Sequence, residues 1–261
     1  MELGLNGKTA IVTGGASNIG KQITLMLAAE GVNVVLADID VAQAEKVAAL
    51  VAGKAGGRIV VARCDVTSHA DIDATVALAR STFGAPDILV NNVGWAEHRL
   101  FMEKEWAPAE KEMAINFWGT LYMSKAVLPD MVERRGGRIV CVSSDAGKIG
   151  ENRESVYAAA KAGVQGFVRT LAKEVGRYGI TVNGVCPSMT VPESVDDVGE
   201  NSMHHKRERP AELMERIVKM YPLRRVGKPT DVANLVVFLA SEAGSFITAQ
   251  NISVNGGFVT S

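Results

Sequence analysis

The sequence is short of several features that define other classes of protein. Only three of its 261 residues are cysteine. Cys64, Cys141 and Cys186 lie far apart beside apolar runs, and this spacing fits neither a disulfide framework nor a metal-binding knuckle. The formal net charge of -1 gives no reason to expect nucleic acid or an anionic membrane as a partner. We therefore expect a protein of a reducing compartment, the cytoplasm, without a metal site.

Long apolar segments are lacking as well. No uninterrupted apolar stretch reaches the roughly 18 residues that a membrane-spanning helix needs. The start, MELGLNGK, has no basic region followed by an apolar core, so we expect no secretory signal peptide. Length alone would permit two domains, but no internal repeat or low-complexity linker divides the chain. Residues 1–261 are expected to form one domain.

Short runs rich in β-branched residues alternate with longer helical patterns. The runs predict strands, buried on both faces, at 8–13, 33–38, 58–63, 87–91, 138–143, 180–186 and 250–254. Helices are predicted at 19–30, 41–53, 69–83, 107–134, 155–178 and 229–241. This alternation predicts a single-domain α/β fold, a Rossmann-like doubly wound parallel sheet of about seven strands with helices on both faces.

One long connection, 187–222, interrupts the regular alternation after the sixth strand. Long connections in compact domains are usually functional or mobile, and open α/β sheets bind ligands beyond the carboxyl ends of their strands. We interpret 191–220 as a substrate lid. Its basic cluster is either a site for an anionic substrate or a solvated turn before a helix. The cluster consists of His204, His205, Lys206, Arg207 and Arg209. Adjacent histidines cannot share a helical face, so a metal site is not expected there.

The stretch TGGASNIG follows the first strand and opens the first helix. Backbone N–H groups from Gly14 to Gly20 can meet a pyrophosphate at the helix N-terminus, although a glycine-rich turn alone is also compatible with a plain tight turn. Asp38 follows about 20 residues later, where a carboxylate accepts hydrogen bonds from the ribose 2′-OH and repels a 2′-phosphate. Neither Ser17 nor Ile39 supplies a compensating cation. The expected cofactor is therefore NAD rather than NADP.

Asn18 stands where a third spaced glycine would be expected. Asparagine is a common substitute for glycine in the left-handed region, so Asn18 can supply a positive φ. Its amide can also cap the first helix. If the position instead requires close approach, the side chain would crowd the nucleotide. Because the rest of the site is intact, we expect binding to be retained.

A second group of residues carries acid–base chemistry. The segment SVYAAAK places Tyr157 and Lys161 at i and i+4, on one helical face. Ser144 ends the strand GRIVCVSS, Asn116 lies in a helical pattern, and NNVG (91–94) closes the fourth strand. A tyrosine–lysine pair alone is more often a surface pair. Together with the nucleotide turn, however, these residues resemble the short-chain dehydrogenase/reductase family over essentially the whole chain.

The resemblance implies an NAD-dependent oxidoreductase that interconverts a secondary alcohol and a ketone, with Asn116, Ser144, Tyr157 and Lys161 as its catalytic residues. A phenol with a pKa near 10 is a poor base at neutral pH, so we expect Lys161 and the oxidised nicotinamide to lower the pKa of Tyr157. Ser144 can hydrogen-bond the substrate oxygen. By resemblance, Lys161 also binds the nicotinamide ribose, and Asn116 supports a water that relays protons.

The other expected contacts follow from the same resemblance. The cofactor-binding residues are Gly14, Ser17, Asn18, Ile19, Gly20, Asp38, Ile39, Asp65, Val66, Asn92, Gly94, Tyr157, Lys161, Pro187, Ser188 and Thr190. Asp65 resembles an adenine-contacting aspartate, with a helix cap as the alternative. Asn91 resembles an asparagine that steadies the sheet and the cofactor, with a turn residue as the alternative. The segment CPSMTVP departs from the family pattern at Ser188, Thr190 and Pro192, which leaves a contact between Thr190 and the pyrophosphate open.

The candidate substrate-pocket residues are Trp95, His98, Asp145, Asn152 and Met189, each with loop packing or a surface position as the alternative. The segments VSSDAG, VYAAAKAGV and ITVNGVCP are similar to a branch of the family that acts on hydroxyacyl-CoA intermediates of aromatic or alicyclic acid degradation. The resemblance also implies a homotetramer or dimer. Two other interpretations stay open: a catalytically silent subunit that pairs with an active paralogue, and a nucleotide-sensing regulatory protein.

Overall fold

A parallel sheet forms the centre of the protein. The computed structural model describes residues 2–194, 197–200, 202 and 210–260. Within these residues the strands are β1 (Thr9–Thr13), β2 (Asn33–Asp38), β3 (Ile59–Arg63), β4 (Ile88–Asn91), β5 (Gly137–Val142), β6 (Ile180–Pro187) and β7 (Asn251–Val254). Their order is β3-β2-β1-β4-β5-β6-β7, and every neighbouring pair is parallel. The predicted doubly wound α/β sheet is confirmed.

Helices cover both faces of this sheet. They are α1 (Asn18–Ala29), α2 (Val41–Ala49), α3 (His69–Thr82), α4 (Trp106–Met113), α5 (Gly119–Arg134), α6 (Ala146–Ile149), α7 (Ser155–Val175), α8 (Ala211–Lys219) and α9 (Pro229–Ala240). Two of them begin at side-chain caps: Asp40 accepts a hydrogen bond from the Gln43 N–H, and Ser68 accepts one from the Asp71 N–H. Such caps satisfy backbone donors that the first turn of a helix leaves free.

Two hydrophobic layers bury the sheet. Helices α3, α5 and α7 pack on one face, with Ile72, Met123 and Val164 among the buried residues. Helices α1 and α9 pack on the other face, through residues such as Leu27 and Val236. Because both faces are covered, the strands are continuous apolar runs rather than alternating ones, and this is why sequence patterning located them within a few residues.

The helical boundaries differ from the predicted ones at three places. The predicted helix 107–134 contains a π-helical segment, Ala114–Trp118, between α4 and α5. Helix α2 ends at Ala49 and not at residue 53, and a turn follows from Leu50 to Gly53. Helix α7 ends at Val175 and continues as a 3₁₀ turn, Gly176–Tyr178. Of these, the π segment bears on the site, because it contains Asn116.

The start of the long connection after β6 is joined by backbone hydrogen bonds to the chain that follows the connection. Thr190 and Gly227 form a parallel bridge, and Gly227 donates its N–H to the Met189 carbonyl. Helix α8 lies within this connection, where the sequence analysis placed a helix after the basic cluster. The predicted basic cluster, 204–209, lies outside the described residues.

The structure also bears on the composition arguments. Cys64, Cys141 and Cys186 are all buried free thiols. Burial raises the pKa of Cys141 and that of Cys186 to about 11, so both stay protonated at neutral pH. In the described part of the chain, no helix combines the length and the apolar character needed to cross a membrane, and no group of three metal-binding side chains comes together.

Candidate active site

A cavity of about 800 Å³ opens at the carboxyl ends of the strands, where the chain leaves β1 and β4 in opposite directions. This is the place where open α/β sheets bind ligands. The predicted residues on its wall are Gly14, Ser17, Asn18, Ile19, Gly20, Asp38, Ile39, Asp65, Val66, Asn92, Gly94, Trp95, His98, Ser144, Asp145, Tyr157, Lys161, Pro187, Ser188, Met189 and Thr190. Asn152 is exposed and does not belong to this wall.

Side chains would meet close neighbours at Gly14 and Gly20 of the glycine-rich turn. Gly14 has a φ of +62°, and a Cβ there would lie 3.1 Å from Asn92 Nδ2. A Cβ on Gly20 would lie 1.9 Å from the Gly14 carbonyl oxygen. Asn92 fixes the same turn by donating from Nδ2 to the carbonyls of Thr13, at 3.2 Å, and of Gly14, at 3.0 Å. The turn at the start of α1 is therefore held close to the end of β4.

Asn18 has a φ of 47°, so it supplies the left-handed backbone that its sequence position indicated. Its predicted capping role is wrong: the N-cap of α1 is Ser17, and the cap makes no side-chain hydrogen bond. Asn18 Oδ1 is buried without a hydrogen-bond partner among the described residues, as is Ser188 Oγ. Both residues lie on the cavity wall, and a ligand with hydroxyl and amide groups would satisfy such atoms. The site therefore fits a dinucleotide.

We expect Asn18→Gly to change the dissociation constant for NAD by less than about tenfold. The backbone already has a positive φ in the protein without ligand, so glycine relieves a strain that is present in the free and the bound states alike and cancels in the dissociation constant. Calorimetric titration with NAD measures the change. Gly14→Ala is the matched control and should weaken binding, because its new Cβ meets Asn92. A several-hundredfold gain in Asn18→Gly would show instead that the asparagine obstructs the site.

Asp38 presents a carboxylate at the end of β2. Its Oδ2 accepts the Ala16 N–H and its Oδ1 accepts the Asp40 N–H, both at 3.0 Å. Burial raises the pKa of Asp38 above its ordinary value, and these two hydrogen bonds oppose that rise. Arg63 pairs with Asp38 in the strand register, but its guanidinium binds Asp71 at 2.7 Å. Among the described residues, no lysine or arginine on the cavity wall offsets the Asp38 charge at this end.

The residues expected near the adenine and the central sheet have distinct contacts. Asp65 Oδ1 accepts hydrogen bonds from the Thr67 N–H and hydroxyl, at 2.9 and 2.7 Å. The alternative that Asp65 caps α3 is wrong, because Ser68 is the N-cap. Asn91 is buried off the cavity wall and donates to Ser124 Oγ on α5 at 3.0 Å. Asn91 thus anchors α5 to the sheet, whereas Asn92 fixes the glycine-rich turn.

Tyr157, Lys161 and Ser144 meet on the wall of the same cavity. Lys161 is 2 % exposed. Its Nζ donates to the Val142 carbonyl at 2.9 Å and lies 5.6 Å from the centre of the Tyr157 ring. The Lys161 carbonyl accepts a hydrogen bond from Ser143 Oγ, which ties α7 to the end of β5. Ser144 Oγ accepts the Ala146 N–H at 3.1 Å. These contacts hold the Lys161 ammonium group next to the Tyr157 ring.

The titration of these two groups is set mainly by burial. Burial raises the pKa of Tyr157 above its ordinary value, the charge of Glu154 adds to the rise, and a hydrogen bond with Ser144 opposes it. This direction is opposite to the lowering that the sequence led us to expect. Burial lowers the pKa of Lys161 to about 8. The physical reason is that removal from water disfavours phenolate and ammonium alike.

Asn116 is fully buried behind the wall, inside the π segment. Its Nδ2 donates to the carbonyls of Trp95, at 2.6 Å, and of Glu112, at 2.8 Å, and its Oδ1 accepts the Trp95 N–H. A π-helical turn carries an extra residue and re-aims side chains, often at functional sites. Here it lets Asn116 hold the chain segment that carries Trp95. A Cβ on Gly94 would lie 3.3 Å from Asn116 Oδ1 and 3.5 Å from Lys161 Nζ, which places both groups next to that glycine.

The other end of the cavity is largely apolar. Its wall includes residues that the sequence analysis missed, namely Ile115, Ile217, Met220, Tyr221 and Phe258. The rings of Tyr221 and Phe258 stack at 5.0 Å, and the Met189 N–H donates to the Tyr221 hydroxyl. Ile115 belongs to the π segment, Ile217, Met220 and Tyr221 to α8 and the turn after it, and Phe258 to the C-terminal segment. Their long separation in sequence is the reason that local patterning could not assign them.

Asp145 is on the wall, but its carboxylate is turned into the protein. It is 1 % exposed, and its two oxygens accept hydrogen bonds from Ser253 and Asn255. These bonds tie the segment after β5, which carries Ser144, to the C-terminal strand. The carboxylate of Asp145 is therefore bound by other residues of the protein. Its contacts match the alternative that Asp145 is a loop-packing residue.

The start of the long connection lies against the nucleotide turn. Asp197 binds Lys21 at 2.6 Å, and the Gly199 N–H donates to Ser17 Oγ at 2.9 Å. Thr190 donates its hydroxyl to the Ser188 carbonyl at 3.2 Å. The connection thus contacts both ends of the cavity, since Ile217 and Met220 line its apolar end.

Comparison with known proteins identifies the family of the chain. A family model described as enoyl-(acyl carrier protein) reductase matches residues 14–259. The chain is 35% identical to oxidoreductase UcpA of Salmonella typhimurium over 97% of this chain and 95% of the relative. It is 32% identical to 7alpha-hydroxysteroid dehydrogenase of Escherichia coli, over 98% and 96%. It is 36% identical to (2S)-[(R)-hydroxy(phenyl)methyl]succinyl-CoA dehydrogenase subunit BbsD of Thauera aromatica, over 98% of each chain. The chain is an oxidoreductase of the short-chain dehydrogenase/reductase family.

Proposed function

We propose that this oxidoreductase uses NAD to interconvert a secondary alcohol and the matching ketone. The observation that carries the proposal is that Tyr157, Ser144 and Lys161 lie on the wall of the same cavity as Asp38 and the glycine-rich turn. An acid–base group thus shares one cavity with a phosphate cradle and a ribose-binding carboxylate.

The preference for NAD over NADP rests on Asp38. Its carboxylate faces the cavity at the end of β2, and no arginine or lysine of the described wall residues is there to meet a 2′-phosphate. The backbone of Gly14 to Gly20 and the start of α1 would hold the pyrophosphate. The cofactor site would be completed by further residues of the cavity wall, namely Ser17, Asn18, Ile19, Ile39, Asp65, Val66, Asn92, Gly94, Pro187, Ser188 and Thr190.

The chemistry follows from the groups present. NAD would accept the hydride that leaves the carbinol carbon. Tyr157 takes the hydroxyl proton in oxidation and returns it in reduction, so atoms and charge balance in both directions. Ser144 donates a hydrogen bond to the reacting oxygen. Lys161, held by the Val142 carbonyl, supplies a positive charge beside the phenol at neutral pH and favours proton loss from Tyr157.

The substrate we propose has an apolar body next to its carbinol carbon. The wall beyond Tyr157 carries Met189, Met220 and Phe258, with Trp95 and His98 from the loop after β4. One relative is named as a dehydrogenase of an aromatic hydroxyacyl-CoA and another as a hydroxysteroid dehydrogenase. A hydroxyacyl-CoA is the substrate class we favour. Residues 191–220 act as its lid, because the described parts of this segment contact both ends of the cavity.

We also propose that the protein is located in the cytoplasm and forms a homo-oligomer. Three buried free thiols suit a reducing compartment. Trp106 on α4 is 74 % exposed and Trp118, the last residue of the π segment, is 46 % exposed. Large exposed apolar side chains on neighbouring elements favour association, so we propose a dimer or tetramer that uses these helices.

The activity is tested by a panel of secondary alcohols assayed with NAD and with NADP. The panel contains an alicyclic hydroxyacyl-CoA, a hydroxysteroid, a polyol and a simple cyclic alcohol. We expect formation of reduced nicotinamide with NAD and at least one apolar member. NAD binding without turnover of any member would contradict the proposal and favour the catalytically silent subunit, which co-purification with an active paralogue would then identify.

A further inference from the structure

The C-terminal turn, residues 255–259, brings Phe258 onto the wall of the cavity. Phe258 is half-buried, and its ring stacks on that of Tyr221 with 5.0 Å between the ring centres and 18° between the planes. The Tyr221 hydroxyl accepts the Met189 N–H at 3.2 Å, and all three residues line the apolar end of the cavity. Aromatic rings bury large apolar areas, so this end is suited to contact the apolar body of a substrate.

Asn255 fixes the shape of the C-terminal turn with both the oxygen and the nitrogen of its amide group. Its Oδ1 accepts the Gly257 N–H at 2.9 Å, and its Nδ2 donates to the Val259 carbonyl at 3.0 Å. The same Nδ2 also donates to Asp145 Oδ2 at 2.6 Å. Two of these bonds lie within the turn, and the third leads to the segment after β5. The position of Phe258, inside the turn, therefore depends on what Asn255 binds.

The carboxylate bound by this amide is buried next to the serine of the acid–base group. Asp145 is 1 % exposed and directly follows Ser144. Its Oδ1 accepts a hydrogen bond from the Ser253 hydroxyl at 2.5 Å, and its backbone N–H donates to the Pro187 carbonyl at 3.0 Å. Hydrogen bonds to a carboxylate are shorter and stronger than those to a neutral acceptor. Asp145 thus joins the segment that carries Ser144 to the turn that carries Phe258.

We propose that Phe258 determines the specificity for the apolar body of the substrate, and that the Asp145–Asn255 pair positions it. This inference rests on the proposed dehydrogenase activity, in which Ser144 holds the reacting oxygen. Phe258 then contacts the group next to the carbinol carbon. A substrate held at both points is oriented for hydride transfer, and the pair sets the separation of the two points. A small alcohol that contacts only Ser144 does not depend on Phe258.

The specificity is tested with Phe258→Ala. The assay compares kcat/KM for the most active apolar alcohol of the panel with that for the smallest secondary alcohol that the wild type turns over. We expect a loss of at least about tenfold for the apolar alcohol, mainly in KM, and of less than about threefold for the small one. Phe246→Ala is the matched control, because Phe246 is fully exposed and does not belong to the cavity wall. It should leave both values unchanged.

The positioning role is tested by a double-mutant cycle at Asp145 and Asn255. Asp145→Asn removes the charged acceptor and should lower kcat/KM for the apolar alcohol at least about tenfold. Asn255→Asp places two carboxylates where an amide and a carboxylate now meet at 2.6 Å, and it should lower the value further. The double variant again pairs an amide with a carboxylate. Asp145→Asn should therefore raise kcat/KM at least about fivefold in the Asn255→Asp background, a change of sign that a general loss of stability does not produce.

NAD affinity and circular dichroism of every variant show whether it is folded. If Asn255→Asp does not fold, recovery of folded protein in the double variant is the same rescue, and its absence contradicts the pairing. Equal effects of Phe258→Ala and Phe246→Ala, or a folded double variant no better than Asn255→Asp, would overturn this inference and leave the proposed function intact. A wild-type protein that binds NAD and turns over no secondary alcohol would overturn the proposed function itself. A selective loss in Phe258→Ala together with the rescue supports the inference.

Discussion

Replacement of Tyr157 by phenylalanine is expected to lower kcat by at least about 100-fold, and by up to about 10⁴-fold. The substitution removes the hydroxyl that exchanges a proton with the substrate and keeps the ring that packs beside Lys161. Ser144 and Lys161 remain, but a serine hydroxyl is not a base at neutral pH, and Lys161, with a pKa of about 8, is mainly protonated there. Steady-state kinetics with the most active alcohol of the panel measures the loss.

The control for this variant is its affinity for NAD. We expect the dissociation constant to stay within about threefold of the wild type, because the loss of one neutral hydroxyl costs little when no charged partner is left unpaired. Unchanged circular dichroism would show that α7 is intact. Near-normal turnover in Tyr157→Phe would contradict the assigned acid–base role, and a parallel loss of NAD binding would mean that the hydroxyl is a binding group.

Asp38 is expected to give a preference for NAD over NADP of at least about 100-fold in kcat/KM. Like charges brought together in a binding site cost several kcal/mol, and about 2.8 kcal/mol corresponds to that ratio. The carboxylate is held toward the turn by the N–H groups of Ala16 and Asp40, so it cannot swing away from a 2′-phosphate without losing both hydrogen bonds.

Two substitutions separate the charge of Asp38 from its hydrogen bonds. Asp38→Asn removes the charge and keeps an acceptor for Ala16, whereas Asp38→Ala removes both. Both should narrow the preference by at least about tenfold, and Asp38→Ala should also weaken NAD binding because the ribose loses its acceptor. Equal kcat/KM values for the two cofactors in the wild type would refute this part of the account.

The sheet was predictable from the sequence because its strands are buried on both faces. Apolar β-branched runs such as that of β6 can be recognised without knowledge of their neighbours. The same holds for Tyr157 and Lys161, whose spacing on α7 is a local property of one helix. The left-handed backbone of Asn18 was predictable for a similar reason, since it depends on residue type within one turn.

Features that depend on contacts between distant segments were not predictable. The π segment around Asn116 has the same apolar pattern as a regular helix, and it is distinguished by its bonds to Trp95. Asp145 was assigned to the substrate by its position in the chain, but its carboxylate binds Ser253 and Asn255, more than 100 residues away.

The most direct test of the proposed activity is the panel assay with deuterium on the carbinol carbon of each alcohol. The account predicts that the reduced nicotinamide formed from NAD carries one deuterium per molecule and that Tyr157→Phe forms it at least about 100-fold more slowly. Reduced cofactor without the label would mean that the hydride does not come from the carbinol carbon. No reduced cofactor from any alcohol, in a protein that binds NAD, would contradict the dehydrogenase assignment.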